Sequence, residues 1–399
     1  MTDDLLLRQV RPLGGPTADM LIRDGRIARI APDLPAVPGV TEEPGGGAIA
    51  LPGLVEAHTH LDKSLWGMGW RAHQAGPTLR DKIDTERRLR REWDIDPHRQ
   101  STRQALLSVG HGTTAIRSHV DVDTEVGLAG IEGVARTRAD LANLVAIEIV
   151  AFPQSGLMSR PGTLDLMDAA LRAGADVVGG LDPCGIDADP KGQLDAVFAL
   201  AETHGKPIDI HLHEPGELGA FSMEMIIERT RAHGMQGRVT ISHAFCLGMP
   251  DRDRARALVA DLAEARIHIA TVATPSRPVP LVEDLRAAGV TLCAGSDGIR
   301  DTWGPYGNAD MLERAMLLGL RNNLRADRDV EHALWCCSGG GARVMGLEGH
   351  GIAEGCRADL LLVEAESVTH AVVAHPPRRL VLRGGRVVAR DGHSLREAP

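Results

Sequence analysis

Three short segments place histidines and acids at the ends of apolar runs that the sequence predicts to be β-strands. They read Val-Glu-Ala-His58-Thr-His60, His211-Leu-His213-Glu214 and Gly-Ser-Asp297. Because side chains two residues apart on a strand point to the same face, His58 and His60 can hold one ion between them. Imidazole and carboxylate ligands favour Zn²⁺ or Fe²⁺ over Ca²⁺ and Mg²⁺, which prefer oxygen ligands. The spacing therefore predicts a metal site.

The elements around these side chains must bring them together. Strand-like apolar runs begin near residues 54, 113, 144, 175, 207, 238, 267 and 290. Helical patterns, with apolar residues three and four apart, occupy 164–173, 192–204, 221–233, 252–265 and 281–288. Eight strands alternating with helices predict an α/β fold, a parallel (β/α)8 TIM barrel. An open doubly wound sheet is the alternative, but no glycine-rich phosphate turn follows the first strand.

The two ends of the chain differ from its middle. Short strand patterns at 19–22 and 26–30 flank Asp24-Gly25, a hairpin turn signal. Similar patterns recur at 358–363, 380–382 and 386–389, separated by Gly384-Gly385 and Asp391-Gly392. We expect residues 1–50 and 346–399 to form one composite β-sandwich domain, and residues 51–345 to form the barrel.

A long insert, residues 61–99, follows the first predicted strand. It holds three tryptophans, at 66, 70 and 93, and a charged stretch over 84–92. Long connections at the carboxyl face of a barrel often form a lid or a wall of the active-site pocket. We expect the insert to do so, with its charged stretch on a solvated helix face.

Composition excludes several functions. The chain has 399 residues and a formal net charge of −10, without a basic stretch that could follow a phosphate backbone. Its first residues lack the pattern of a secretory signal, and no apolar run approaches the roughly 20 residues that cross a bilayer. The six cysteines show no CxxC spacing and are expected to be reduced, mostly buried thiols. We expect a cytoplasmic homo-oligomer that binds neither nucleic acid nor membrane.

Five ionisable side chains fall at the carboxyl ends of predicted strands. They are His58 and His60 on the first strand, His211 on the fifth, His243 on the sixth and Asp297 on the eighth. In a closed barrel these ends meet at one mouth, where barrel enzymes place their active sites. Each histidine taken alone fits a packed structural role as well, but the set predicts a metal centre.

One ion is favoured over two. The four lysines lie at 63, 82, 191 and 206, and none is in the third or fourth strand, where a carbamylated lysine could bridge two metals. Three histidines and one carboxylate leave room for water, whose pKa the ion lowers toward neutrality. Glu214 follows His211 by three residues and is the predicted proton shuttle. His243 would orient the attacking hydroxide, with a packed core histidine as the alternative.

The order of these motifs resembles the amidohydrolase superfamily over nearly the whole chain. The motifs run His-x-His, His-x-x-Glu, Ser-His and Ser-Asp, flanked by Leu-Pro-Gly-Leu-Val-Glu and Gly-Ile-Ala-Glu-Gly-Cys-Arg-Ala-Asp-Leu. Segments 60–63, 149–154, 174–179 and 301–312 are similar to bacterial cytosine deaminases and to triazine-ring aminohydrolases. The resemblance implies one Zn²⁺ or Fe²⁺, held by His58, His60, His211 and Asp297.

The same resemblance implies an activity. Glu214 and Asp297 would shuttle protons while metal-bound hydroxide attacks an amino-bearing ring carbon and ammonia leaves. Gln154 matches the position that hydrogen-bonds a pyrimidine edge, and Trp303 matches an aromatic residue near the pocket rim. The substrate partner is then a small amino-substituted nitrogen heterocycle, similar to cytosine.

Three positions depart from cytosine deaminases and leave the identity of the ring open. Those enzymes carry two consecutive aspartates after the eighth strand, whereas this chain reads Asp297-Gly298, so one acidic contact is missing. Lys63 replaces a neutral residue, as in the triazine enzymes, and would favour an oxo or carboxylate group or pair with Asp62. His213 stands where cytosine deaminases have an acid.

Two alternative functions remain at this point. One keeps the metal but cleaves a cyclic amide or releases an alkylamine from an oxo-triazine. The other is a catalytically inactive scaffold on the same barrel. The compact zinc-dependent nucleobase deaminases are excluded, because no second cysteine follows Pro183-Cys184 at the required spacing.

Overall fold

The computed structural model describes residues 4–399 and contains the eight-stranded parallel sheet that the sequence predicts. Consecutive strands are neighbours throughout the sheet, and every pairing is parallel. A parallel bridge between Thr59 and Asp297 joins the end of the first strand to the segment after the last. The sheet therefore closes, and the doubly wound alternative is wrong.

The strand bounds agree with the apolar runs to within about two residues. A first sheet, described below, holds strands β1–β5 (Leu5–Pro12, Ala18–Arg23, Arg26–Ala31, Thr41–Pro44, Ile49–Pro52). The barrel strands are β6 Leu54–Thr59, β7 Thr113–Asp121, β8 Ala146–Phe152, β9 Val177–Leu181, β10 Ile208–His211, β11 Val239–Ser242, β12 His268–Thr271 and β13 Leu292–Ala294. Every residue of β6 and β7 is buried, as expected where helices cover the outer face of a parallel sheet.

Helices follow most barrel strands and cover the sheet. They are α1 Leu79–Glu92, α2 Pro97–Gly110, α3 Ala129–Asp140, α4 Thr163–Arg172, α5 Pro190–His204, α6 Gly216–Ala232, α7 Arg252–Glu264, α8 Val282–Ala288, α9 Met311–Arg321, α10 Asp327–Cys336, α11 Gly339–Val344 and α12 Val368–Ala374. Local sequence fixes several ends: the carboxylates of Asp189 and Asp251 cap α5 and α7 at their N-termini. Gly205 and Gly289 adopt the left-handed conformation that ends α5 and α8.

Both ends of the chain build the second sheet. β1–β5 share this sheet with β14 Leu360–Val363, β15 Arg378–Arg383, β16 Arg386–Arg390 and β17 His393–Ser394. The antiparallel pairing of β5 with β14 joins the two termini, and apolar side chains from both halves, among them Met20, Ile22, Leu360 and Leu382, form one core. This is the expected β-sandwich domain. The exact domain boundaries stay a prediction.

The insert after β6 contains α1, which carries the charged stretch. Glu86 is buried and Arg90 nearly so, because they pair with charges at the strand ends. Only part of the stretch, including Arg88 and Glu92, faces solvent. The stretch therefore has a solvated face, as expected, while Glu86 and Arg90 turn to partners at the barrel mouth.

Two further expectations concern the cysteines and the membrane. All six cysteines are free thiols, and Cys246, Cys293, Cys336 and Cys337 are buried. Among residues 4–399, no helix has the length and apolar character needed to cross a membrane.

A buried ion pair joins the β-sandwich domain to the barrel. Arg378 on β15 is 1% exposed and pairs with Asp310, the N-cap of α9. Its Nε also donates to the carbonyl of His111 at the end of α2, at 2.9 Å. Because a buried charge is costly without its partner, this pair makes the two units depend on each other.

We expect Arg378→Met to lower the free energy of unfolding by about 3–5 kcal/mol, because Asp310 would keep a buried charge without its guanidinium partner. Urea titration followed by circular dichroism measures this loss. The control is Arg390→Met, which removes a more exposed pair with Glu43 and should cost about 1 kcal/mol or less. Equal losses in the two variants would contradict the structural role of Arg378.

Candidate metal centre and pocket

The five predicted side chains meet at the carboxyl end of the barrel. The backbone N–H of Asp297 donates to the carbonyl of His58 at 2.9 Å, which brings the first and last strands together. The ring of His58 lies 4.7 Å from that of His211 and 4.9 Å from that of His243, between centroids. His60 lies 3.1 Å from Asp297, measured from Nε2 to Oδ1. The barrel therefore gathers residues from four strands at one place.

Hydrogen bonds fix which nitrogen of His58 faces the cluster. The Ser242 hydroxyl donates to Asp209 Oδ1 at 2.6 Å, so its oxygen accepts the Nδ1–H of His58 at 2.9 Å. The lone pair of His58 is then on Nε2, which is buried and has no hydrogen-bond partner in the described chain. Such outer contacts are typical of metal-binding histidines, because they set the tautomer and the ring orientation.

His60 is held in the same way. Its Nδ1 lies 3.0 Å from the carbonyl of His119, and a carbonyl can only accept, so Nδ1 carries the proton. The Nε2 lone pairs of His60 and His58 then face the same Asp297 oxygen, at 3.1 and 3.6 Å. Lone pairs this close to a carboxylate repel it unless a positive charge lies between them. The donor set thus fits a cation.

His211 and His243 complete the cluster. Both are buried, and within residues 4–399 neither ring nitrogen of either residue has a hydrogen-bond partner. Burial, with the neighbouring imidazoles, lowers the pKa of both histidines well below the usual value, which favours the neutral form that binds metals. Ligand atoms of His58, His211 and His243, and of His58, His60 and Asp297, approach within 4.8 Å of one another. These residues can hold one divalent ion.

The backbone at this cluster is strained. His243 and Asp297 adopt φ values of 68° and 63°, a left-handed conformation that residues other than glycine rarely take. Such strain concentrates at functional sites, where the surrounding structure holds it to direct a side chain. Here it turns both side chains toward the cluster.

His119 also belongs to the cluster, although the sequence analysis did not select it. It is fully buried on β7, with its ring 4.1 Å from that of His58, and neither ring nitrogen has a partner among the described residues. Its Nε2 lies 3.7 Å from Asp209 Oδ2. The sequence could have indicated His119, because this residue stands near the carboxyl end of the second barrel strand, as His58 does on the first.

A cavity of about 270 Å³ opens beside the cluster and suits a small ligand. The predicted substrate-binding residues Lys63, Gln154 and Trp303 all line it, together with His60, His211 and Asp297. Three charged residues that the sequence analysis did not select, Lys82 from α1, Asp301 and Arg314, are also part of the lining. The insert is therefore a wall of the pocket, as expected.

Lys63 is the centre of a buried ion network. Its Nζ lies 3.1 Å from Asp121 Oδ1 and 3.1 Å from Glu86 Oε2, and it donates to Gln154 Oε1 at 2.9 Å. Burial alone would lower the pKa of Lys63, but the two carboxylates outweigh it and raise the pKa. The alternative of a pair with Asp62 is replaced by these two contacts, since Asp62 pairs with Arg90.

Gln154 and Trp303 each place in the wall a hydrogen-bond donor that has no partner within the part of the chain that the structure describes. Because Gln154 Oε1 accepts from Lys63, its Nε2 amide is the free end, and it is buried without a hydrogen bond. The indole Nε1–H of Trp303 is likewise buried and unpaired. Buried donors that lack a partner are costly, so they mark places where a ligand acceptor fits.

Glu214, the predicted proton shuttle, does not line the cavity. Its Oε1 accepts the backbone N–H groups of Cys184 and Gly185 at 2.8 and 2.7 Å, and Ser222 donates to Oε2. Burial raises the pKa of Glu214. Its catalytic role therefore stays a prediction.

His213 lines the cavity and pairs with an aspartate that precedes it in the sequence, Asp182. His213 Nδ1 lies 2.8 Å from Asp182 Oδ2, and its ring lies 4.3 Å from that of His243. The sequence analysis noted His213 only as a difference from cytosine deaminases, and it did not select Asp182 as a site residue. Their pairing joins the segments after β9 and β10. No local sequence pattern predicts this contact, because the two residues lie on different connections.

The barrel, the split β-sandwich and the histidine–aspartate cluster define a hydrolase of the amidohydrolase type, and the chain belongs to that family. Residues 46–389 match the model of the amidohydrolase family. The chain is accordingly an enzyme of the amidohydrolase family that hydrolyses C–N bonds.

Three individual proteins are similar to this chain over most of its length. The structure superposes on N-isopropylammelide isopropylaminohydrolase from Burkholderia multivorans with a TM-score of 0.95 and 50% identity, over 99% of this chain and 100% of that one. The N-isopropylammelide isopropyl amidohydrolase of Pseudomonas sp. strain ADP is 33% identical over 350 residues, 86% of this chain and 87% of that protein. A 5-methylcytosine deaminase from Klebsiella pneumoniae liganded with 5-fluorocytosine has a TM-score of 0.85 and 26% identity, over 96% and 97%.

We expect Ser242→Ala to weaken divalent-ion binding about 10- to 100-fold, because His58 would lose the contact that fixes its tautomer. Competition with a chelator, with bound Zn²⁺ measured by mass spectrometry, gives the affinity. Ser108→Ala is the matched control, since Ser108 is also buried but bonds only to its own helix, and it should bind normally. Unchanged affinity in Ser242→Ala would contradict the tautomer argument.

Proposed function

We propose that this enzyme uses one divalent ion, Zn²⁺ or Fe²⁺, to remove an alkylamine or amine substituent hydrolytically from an oxo-triazine ring. The observation that carries the proposal is the pair of unpaired donors, Gln154 Nε2 and Trp303 Nε1, in the wall of the cavity beside the metal cluster. A ring rich in carbonyl oxygens satisfies both donors. The similarity to two N-isopropylammelide hydrolases supports the same ring class.

His58, His60, His211 and Asp297 are the residues we propose as ligands. A divalent ion bound there would lower the pKa of water and polarise the ring, so that hydroxide is available at neutral pH. All four side chains are fixed by the strand ends, and the tautomers of His58 and His60 are set by their outer hydrogen bonds. The chain therefore supplies a prearranged set of lone pairs.

The remaining residues bind the ring and move protons. Gln154 and Trp303 orient the oxo groups, and Lys63 holds the amide of Gln154 so that its donor end stays free. His243 offers an imidazole to the oxygen that adds to the ring carbon. Glu214 and Asp297 are the proposed proton carriers from the attacking water to the leaving amine.

A second candidate is the release of ammonia from a cytosine-like ring. The similarity to a 5-methylcytosine deaminase favours it, because the barrel and the order of the motifs are shared. The ring-binding walls differ: Asp297 is followed by glycine rather than by a second aspartate, and Lys63 is a buried cation. These differences favour the oxo-triazine over cytosine.

The experiment is an amine-release assay on the metal-loaded enzyme. N-isopropylammelide, cytosine, 5-methylcytosine, hydantoin and dihydroorotate are incubated separately, and isopropylamine, ammonia and ring-opened products are quantified. We expect isopropylamine release with kcat/KM above about 10⁴ M⁻¹ s⁻¹, a typical value for an enzyme on its own substrate. Faster ammonia release from cytosine would favour the second candidate. Ring opening of hydantoin, or no turnover of any compound, would contradict both.

We expect Glu214→Gln to reduce turnover about 10²- to 10⁴-fold while keeping the bound metal, because glutamine preserves the acceptor for Cys184 and Gly185 but cannot carry a proton. Steady-state kinetics on the accepted substrate and metal analysis measure both. The comparison is His213→Gln, whose imidazole does line the cavity. If Glu214→Gln turns over normally and His213→Gln loses turnover, then His213, and not Glu214, carries the proton.

A further inference from the structure

The carboxyl group of Asp301 fills the space beside Gly298. A Cβ atom placed on residue 298 would lie 1.8 Å from Asp301 Oδ2 and 2.7 Å from its Cγ. Only glycine therefore fits at 298 while Asp301 is in place. An acid four residues after Asp297 thus occupies the space beside the glycine that stands where cytosine deaminases have a second aspartate.

One oxygen of Asp301 is fixed and the other is free. Oδ1 accepts the backbone N–H of Trp303 at 2.7 Å and that of Gly304 at 3.0 Å, and the Asp301 N–H donates to the Gly304 carbonyl at 3.1 Å. This tight turn holds the carboxyl plane. Oδ2 accepts no hydrogen bond from residues 4–399, although the side chain lines the cavity. A turn needs only Oδ1, so the turn leaves Oδ2 without a role.

The position of Asp301 relates it to the reacting centre. Asp301, Asp297 and Lys63 all line the same cavity. Burial and the Asp297 carboxylate raise the pKa of Asp301, whereas Lys63 lowers it. Asp297 is a member of the metal cluster, and Lys63 holds the donor wall at Gln154. A ring spanning the cavity between that wall and the cluster would thus place its reacting substituent beside Asp301.

We propose that Asp301 is a specificity-determining residue whose Oδ2 accepts the N–H of the exocyclic amine that leaves the ring. The proposal rests on the proposed function, because it assigns a partner to the leaving amine. Gln154 and Trp303 provide donors for oxo groups, and Asp301 provides the acceptor that an amine N–H requires. Secondary and primary amines satisfy this acceptor, whereas a tertiary amine leaves it unpaired.

The test compares two compounds in the intact metal-loaded enzyme. N-isopropylammelide carries one exocyclic N–H, and N-isopropyl-N-methylammelide carries none. Asp301→Asn keeps the acceptor for Trp303 and Gly304, so the turn survives, but it replaces Oδ2 with a donor. We expect kcat/KM for the N–H compound to fall about 10- to 100-fold and that for the N-methyl compound to change less than about 2-fold.

The control is Asp123→Asn. Asp123 makes the same turn, with Oδ1 accepting the N–H groups two and three residues later at 2.8 and 3.0 Å, but it does not line the cavity. This variant should keep the wild-type preference for the N–H compound. If Asp301→Asn keeps that preference too, or loses activity equally on both compounds, the proposal is wrong.

A binding measurement separates this proposal from the proposed function. If the wild type hydrolyses neither compound, the proposed function fails, and calorimetric dissociation constants for the same pair then decide the role of Asp301. Tighter binding of the N–H compound by the wild type, lost in Asp301→Asn, supports the acceptor role. Equal preference in both proteins, or binding of neither compound, contradicts it.

Discussion

The arrangement at the mouth of the barrel depends on one contact, in which two histidine lone pairs approach the same carboxylate oxygen. His60 and His58 direct unprotonated Nε2 atoms at Asp297 because their Nδ1 protons are committed to the His119 carbonyl and to Ser242. Lone pairs directed at a carboxylate repel it, so this arrangement suits a positive charge between the three groups. The barrel holds them together by hydrogen-bonding Asp297 to the backbone of His58, and the left-handed backbone at Asp297 is tolerated for the same purpose.

A second electrostatic constraint shapes the pocket wall. Lys63, which lies beside the metal cluster, is almost fully buried, and a buried ammonium needs nearby carboxylates. Asp121 comes from β7 and Glu86 from the insert helix α1, so pairing the charge also docks the insert onto the barrel. Arg90 balances the surplus of acids by pairing with Asp62 and Asp121. The pocket wall that contains Lys63 is thus held in place by charges that compensate one another.

Sequence patterns predicted most of the fold and the meeting of the histidines and Asp297 at one rim. Parallel strands covered by helices must be continuously apolar, so the eight runs were visible, and the turns at Asp24-Gly25 and Gly384-Gly385 adopt the positive φ values their composition indicates. His58, His60, His211, His243 and Asp297 could be grouped because the closure of a parallel barrel brings all strand ends to one rim. Their grouping required only the number and direction of the strands.

The sequence by itself determined the barrel, the split β-sandwich and the side chains that gather at the rim, since these follow from periodicity and strand direction. Tertiary structure alone decided which oxygen and nitrogen atoms remain free in the pocket. Lys63 takes the carbonyl of Gln154, Asp182 pairs with His213, and Asp301 occupies the space that Gly298 leaves open. Such pairings join loops from different strands, and their geometry depends on how those loops pack, which no local pattern of residues encodes.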